Sequence, residues 1–353
     1  MKIINKYLFK EYLINYLVAL LALVGIFIVF HFLEELGNDY PMAEKIRYVF
    51  YSIPVAANNI FSMAILIGVI TKIGQFNSTR ELQIFFTSSI SKKQIINKTL
   101  VIGFILSLAS LTVGELLSPY FSEKSMQIKA HAQGKNFTNK NANIWLKNEN
   151  LFINIGSSLD KFNLSEVYFY DTTEHNKLKK IIYSKNARVV NDSITLSSPR
   201  SLAIDNSMKI PGFLLSNDGG KFELPLKDFD SLSKDERTMN LYEIFSIILV
   251  LSRNGLDADI YIIEFFNRLL KPIYITGLIL MAVPFTMSYS RNRSIGSMVF
   301  AGIILALIFS LLTKFLNVAA LNFGLDVYLA SIFPTFIILV AGLSFTFSYL
   351  RYK

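Results

Sequence analysis

Cysteine is absent from the 353 residues, which excludes disulfide staples, thiolate metal sites and a cysteine nucleophile, although it does not identify a redox compartment. Histidine is scarce. His31, His131 and His175 are scattered, with no spacing suited to zinc. No G-x-x-x-x-G-K-S/T run occurs, so the chain has no recognisable cradle for nucleotide phosphates; Gly219–Gly220–Lys221 reads as a turn. No small-x-small cleavage site follows the first apolar run, which extends from Leu13 to Phe32 and outlasts an ordinary signal-peptide core. It reads as an uncleaved first span. These absences argue against a self-contained hydrolase and favour a component powered elsewhere.

Apolar residues make up 52% of the chain and gather in long blocks at both ends. A helix crossing a bilayer needs about 20 mostly apolar residues, and isolated segments in lipid must be helical to satisfy their backbone groups. Six blocks meet that length. Residues 1–117 form a first membrane half with spans near 13–33, 53–74 and 95–117, and a loop at 75–95. Residues 241–353 supply a connecting helix and a second half with spans near 269–289, 297–316 and 327–350. Between them, 118–240 is charged, mixed-pattern sequence.

The formal charge of +9 does not require nucleic acid, because basic residues concentrate in short loops beside the spans and in the lysine-rich middle. With a cytoplasmic amino end, that side receives Lys2, Lys6, Lys10, Arg80, Lys92, Lys93, Arg291, Arg293, Arg351 and Lys353. The other side receives only Lys45 and Arg47 in its short loops. The positive-inside bias therefore predicts cytoplasmic termini and puts 118–240 across the membrane.

From Ala142 to Asp205, short runs such as SEVYFYD, KKIIYS and ARVVN alternate apolar and polar residues, which favours strands. Gly156–Ser157, Asn191–Asp192, Pro211–Gly212 and Asp218–Gly219–Gly220 are turn signals. The pattern fits a sandwich, a jelly roll or an open barrel. The single tryptophan, Trp145, is expected to pack a strand face or the domain edge.

Glu115, Lys314 and Lys72 lie near span ends, where interface anchoring is the simplest expectation. The 75–95 loop contains a short helix, roughly Ser78 to Phe86, with Arg80 and Glu81 beside Leu82, Phe85 and Phe86. Such a helix can lie on a membrane or fill a partner's groove.

The ordered fragments YLFKEYLINYL, TRELQIFFTSSISKKQI, GELLSPYFSEKSMQIKAHA, IWLKNENLFINIG and FFNRLLKPIYITGLILMAVPF resemble the LptF/LptG family of lipopolysaccharide export permeases. Similarity leans slightly toward the LptG side. The resemblance implies six transmembrane α-helices, three plus three, with an inserted periplasmic β-jellyroll domain in a bacterial inner membrane. It also implies a homologous LptF- or LptG-like permease, a dimeric LptB-like cytoplasmic ATPase holding all ATP and Mg, and LptC-like and LptA-like periplasmic bridge proteins. No cofactor is implied for this chain.

By the same resemblance, Arg80, Glu81, Leu82, Phe85 and Phe86 would enter the ATPase groove, with Glu81 leading. Spans one and five would wall a lipid cavity, with Phe27, Phe30, Phe309 and Leu316 meeting acyl chains. His31 stands where the family places a basic headgroup contact, and Lys45, Arg47, Lys129 and Lys314 are further phosphate candidates. Two other readings remain: a permease of another ABC-linked lipid or lipoprotein system, and a noncatalytic membrane assembly or binding protein.

Overall fold

Long apolar runs make helices that outlast them. In the computed structural model, residues 2–133, 144–148, 151–158, 163–172, 178–190, 193–203, 214–215, 221–223, 238–253, 257–288 and 294–351 are described. Helix α1 covers Lys2–Leu36, α2 Met42–Ser78, α3 Glu81–Thr87 and α4 Lys92–Ala132. After the strands come α5 Leu241–Arg253, α6 Asp259–Leu269, α7 Lys271–Ser288, α8 Ile295–Phe323 and α9 Val327–Arg351. The 41 residues of α4 extend about 60 Å, well beyond a bilayer core of roughly 30 Å. Its last turns run through 118–132, a stretch grouped by composition with the strand-rich segment. Hydropathy reads only the part of a helix that sits in lipid, so polar extensions escape it.

Among the described residues, five helices are individually long and apolar enough to cross a membrane, and α6 with α7 passes the same test together as a pair bent by 50°. Pro272 explains the break. It lacks the N–H that would bond the Arg268 carbonyl, and its ring would crowd that oxygen. Hydrogen bonds from Leu270 N to Phe266 O and from Tyr274 N to Leu270 O, both 2.9 Å, carry the chain around the bend.

The chain divides into two compact units, Met1–Ser125 with Ile263–Lys353, and Met126–Ile262. In the first, α2 is the pillar against which α1, α7 and α8 pack. Tyr12, Phe61, Ile65, Val69, Ile73, Phe76, Ile95, Ile96, Ile275 and Ile279 fill its main core. Small residues let backbones approach where lipid provides no hydrophobic drive. At Gly68 a Cβ would lie 2.7 Å from the Tyr16 nitrogen. Hydroxyls cross between helices too: Tyr12 to Thr99 at 2.8 Å, Tyr16 to Ser110 at 2.7 Å, and Thr346 donating to the Leu280 carbonyl at 2.7 Å.

Burial is uneven among these helices. Of the most apolar stretch of α2, 44% is buried in the bundle, but only 17% for α1 and for α8. The beginnings of α1, α4 and α8 share one end of the bundle with α3 and the carboxyl ends of α2 and α9. Tyr7 reaches Glu81, Lys92 lies over Tyr349, and Ile295 would contact a Cβ at Gly74. That clustering is what an even number of crossings requires.

The second unit holds an eight-stranded antiparallel sheet: β1 Ile144–Asn148, β2 Leu151–Ser158, β3 Asn163–Thr172, β4 Leu178–Val190, β5 Ser193–Ser197, β6 Arg200–Ala203, β7 Leu214–Leu215 and β8 Lys221–Glu223. Strands β1 to β5 follow one another in the sheet, with β8 beyond β5. The 13-residue β4 is shared, pairing β5 through 186–190 and β6 through 180–183. Val167 and Phe169 are fully buried, while the Tyr168 ring packs against Tyr170 and Tyr183. The alternation seen in sequence is therefore the alternation of faces.

Gly156–Ser157 is no turn. Both residues lie inside β2, where Gly156 lets the chain approach Glu166, a residue in the left-handed region at φ 58°. A Cβ at Gly156 would stand 2.9 Å from that of Glu166. Val190 pairs with Ser193 across β4 and β5, and the Asn191–Asp192 signal between them lies outside the described residues. The other two turn signals and the side chain of Trp145 lie outside the described residues.

Gly68→Val is expected to separate α1 from α2 and destabilise the detergent-solubilised protein by about 1–3 kcal/mol, as overpacking does. A thermal melt beside wild type checks this; an unchanged Tm contradicts the backbone contact.

Candidate functional site

Two places gather polar chemistry in the membrane unit. At the first, α2 ends at Ser78, and Thr79 and Arg80 turn the chain before α3. Arg80 takes a left-handed conformation at φ 62°, uncommon for a residue with a Cβ. The short helix thus begins at Glu81, because Ser78 still belongs to α2.

Glu81 is held from two sides. The Tyr7 hydroxyl donates to Oε2 at 2.8 Å, and the Thr79 hydroxyl lies 3.0 Å from Oε1 and 2.9 Å from the Gln75 carbonyl, which share its one proton. Leu82 is buried in the bundle core, and Phe85 meets Phe76 edge-on at 5.6 Å. These two residues, expected to meet a partner, face this chain's own interior. Arg80 and Phe86 remain exposed, joined by Gln83 and Ile84, the last 59% exposed. Helical spacing contains that information: with Leu82 and Phe85 inward, Gln83 and Ile84 must point away.

Just inside, Lys72 is no interface anchor. It is buried, its ammonium 2.6 Å from the Glu11 carboxylate and 4.5 Å from the centre of the Phe76 ring.

Toward the opposite end, His31 stacks on Phe27 at 5.1 Å and lies 5.2 Å from the Tyr48 ring, with Nδ1 3.5 Å from Glu34. Phe30 is exposed. Lys45 is occupied: it donates to the Leu36 carbonyl at 3.2 Å and sits over the Tyr40 ring at 5.4 Å. The Tyr40 hydroxyl donates to the buried Glu35 carboxylate at 2.6 Å. Burial, then that carboxylate, pushes the Tyr40 pKa above its ordinary value. Arg47 is exposed and pairs with Glu44 at 3.1 Å. Lys129 belongs to the second unit, in the last turn of α4.

A cavity of about 290 Å³ opens among the helices in the half away from α3. Asn59 and Ser62 of α2, Asn267 of α6, Lys271 and Tyr274 of α7, Lys314 and Asn317 of α8, and Thr335 of α9 line it. Among the described residues its lining includes two ammonium groups and no carboxylate. Lys271 lies 5.3 Å from the centre of the Phe61 ring, and the buried Asn317 Oδ1 has no hydrogen-bond partner among the described residues. Nearby, Arg268 bridges Glu264 at 2.6 Å and Glu115 at 3.6 Å. Glu115 is thus an ion-pair partner rather than an interface anchor. Of the apolar candidates, Phe309 packs against the core shared by α2, α7 and α8, and Leu316 is half-buried.

Sequence reasoning missed Lys271. Its one signal was a lysine directly before Pro272 at the opening of an apolar run.

Residues 6–349 match the family described as lipopolysaccharide export system permease LptF/LptG. The chain is 20% identical over 340 residues to the lipopolysaccharide export system permease protein LptG of Escherichia coli strain K12, covering 94% of each. Against the LptG protein of Haemophilus influenzae it is 21% identical over 345 residues, covering 96% of each.

Removing Arg268 leaves two carboxylates without their shared cation. Arg268→Ala is expected to destabilise the protein by about 3–5 kcal/mol, the usual cost of breaking a buried pair. Adding Glu115→Gln and Glu264→Gln should recover much of that loss in a denaturation assay. No loss in the single variant contradicts the bridge.

Proposed function

The chain belongs to the LptF/LptG family of lipopolysaccharide export permeases, and from that premise we propose how its two ends divide the work. It is a multi-pass inner-membrane protein, a transmembrane permease subunit of lipopolysaccharide export, and the relatives described above are LptG proteins. ATP is hydrolysed by a separate dimeric LptB-like ATPase in the cytoplasm. This chain faces a homologous LptF- or LptG-like permease, and lipid leaves toward LptC-like and LptA-like bridge proteins in the periplasm. The termini and α3 are cytoplasmic and the sheet periplasmic, a direction supported by the basic residues of the short loops.

The observation that carries this reading is α3, a short helix displayed at one end of the bundle and seated on α1 and α2. Its outward residues Arg80, Gln83, Ile84 and Phe86 offer a cation, an amide and two apolar side chains to a groove on the ATPase. Leu82 and Phe85 hold the helix on the bundle rather than touching the partner, and Glu81 serves coupling from within the chain. The low burial of α1 and α8 fits helices that close a lipid cavity against the second permease.

Lipopolysaccharide carries phosphates on a many-chained lipid anchor. Lys271 and Lys314 suit the anionic group, while Phe27, Phe30 and Leu316 suit acyl chains. An ionisable side chain kept within a membrane bundle is costly and most often functional. His31, stacked between Phe27 and Tyr48, lies on the face of α1 toward α2 and shapes the wall of that helix.

Ile84→Asp is expected to reduce ATPase copurification about tenfold or more, as loss of an apolar anchor does, while membrane insertion persists. Normal copurification removes the α3 dock. A photocrosslinker in the cavity should capture phosphorylated lipid in a nucleotide-dependent way, and Lys271→Gln with Lys314→Gln should weaken capture severalfold. Capture unaffected by both changes removes these lysines. ATPase binding without any lipid capture favours a scaffold, and lipoprotein capture favours a different permease class.

A further inference from the structure

A helix of seven residues is too short to persist unaided, so whatever pins α3 decides what moves with it. One pin is the turn at Thr79–Arg80, which joins it to α2. Another is apolar: Leu82 lies in the core, and Phe85 rests on Phe76. The Phe76 ring also meets Tyr7 at 6.2 Å and Tyr12 at 6.4 Å, both from α1. The third pin is the Tyr7 hydroxyl, donated at 2.8 Å to Glu81 across 74 residues of sequence.

Glu81 therefore has Oε2 engaged inside the chain by Tyr7, with Oε1 beside the Thr79 hydroxyl that the Gln75 carbonyl shares. One turn further along α1 from Tyr7, Glu11 grips Lys72 of α2 at 2.6 Å. Tyr7 and Glu11 lie four residues apart, on one face of α1. That face is bound above to α3 and below to α2, with Phe76 between the two contacts.

We propose that Tyr7 and Glu81 are positioning residues, a strut that makes α3 and the first turns of α1 move as one body. The proposal rests on reading α3 as the ATPase dock, and it assigns the route taken by a push on that dock. Displacement passes through Glu81 and Tyr7 into α1, a helix whose apolar surface is largely uncovered by this chain. Neither side chain needs to touch the ATPase. Glu11 and Lys72 brace α1 against α2 just beyond the strut, so that the push is delivered as a shift of α1 rather than dissipated as fraying of its first turns.

The chain has no native cysteine, so paired spin labels can be placed at Lys6 and Thr87, both exposed, in the assembled permease–ATPase complex. The expected result is a Lys6–Thr87 distance that stays fixed between nucleotide-free and nucleotide-trapped states, while a Thr87–Arg351 distance changes. Tyr7→Phe, which removes only the hydroxyl, should broaden the Lys6–Thr87 distribution. It should also lower lipid released per ATP hydrolysed roughly fivefold, the scale of one lost hydrogen bond. Glu81→Gln, which keeps an acceptor for Tyr7, should retain more of that coupling than Glu81→Ala. A Lys6–Thr87 distance that changes with nucleotide in the wild type overturns the strut. So does wild-type release per ATP in Tyr7→Phe complexes that copurify with the ATPase normally. Failure of the wild-type chain to bind the ATPase at all overturns the docking reading, and the strut with it.

Discussion

A bilayer core supplies no hydrogen bonds, and each polar group within this bundle is placed under that constraint. Tyr12 finds Thr99, Tyr16 finds Ser110, and Thr346 finds a carbonyl on the neighbouring helix. Charges are paired in the same spirit: Lys72 with Glu11, and Arg268 between Glu115 and Glu264. These contacts fasten helices distant in sequence where apolar packing alone has little directional preference. Against that background, Lys271 and Asn317 are conspicuous. Both line a cavity, where Lys271 lies over the Phe61 ring and the Asn317 Oδ1 has no hydrogen-bond partner among the described residues.

The same packing separates covered from uncovered helices. Helix α2 approaches α1 to backbone contact at Gly68 and meets α7 and α8 along its length. Helices α1 and α8 keep most of their apolar surface for lipid or a second subunit. A permease pair needs this asymmetry, with a braced interior and outer helices that can be shifted. Tyr7, Phe76 and Glu81 meet at the foot of α1, so α3 adjoins a helix whose apolar surface this chain leaves largely uncovered.

Much of the fold was legible in the sequence, because lipid imposes a length and a half-buried sheet imposes an alternation. Each of the six apolar blocks became a helix, and the alternation at Val167 and Phe169 became a buried sheet face. Helix ends were not legible: the turns of α4 up to Ala132 lie beyond the apolar stretch and carry no hydropathy signal. Nor were partners in space. Glu115 and Arg268 stand far apart in the chain, so the pairing that accounts for both could not be seen from either alone. At α3 the sequence indicated a short helix with apolar and charged residues but not which side of it each would face. Leu82 and Phe85 turn inward because a seven-residue helix needs a hydrophobic underside to stay in place, and Ile84 and Phe86 are left exposed.

The account depends on α3 and the sheet lying on opposite sides of the membrane. Cysteines introduced singly at Ser89 and Lys179, in a chain that has none, can be labelled in sealed vesicles with an impermeant maleimide. In spheroplasts, Lys179→Cys should react and Ser89→Cys should not; in inverted vesicles the pattern should reverse. If both positions react from the same side, energy delivered at α3 would not cross the membrane to the sheet, and the account would be wrong.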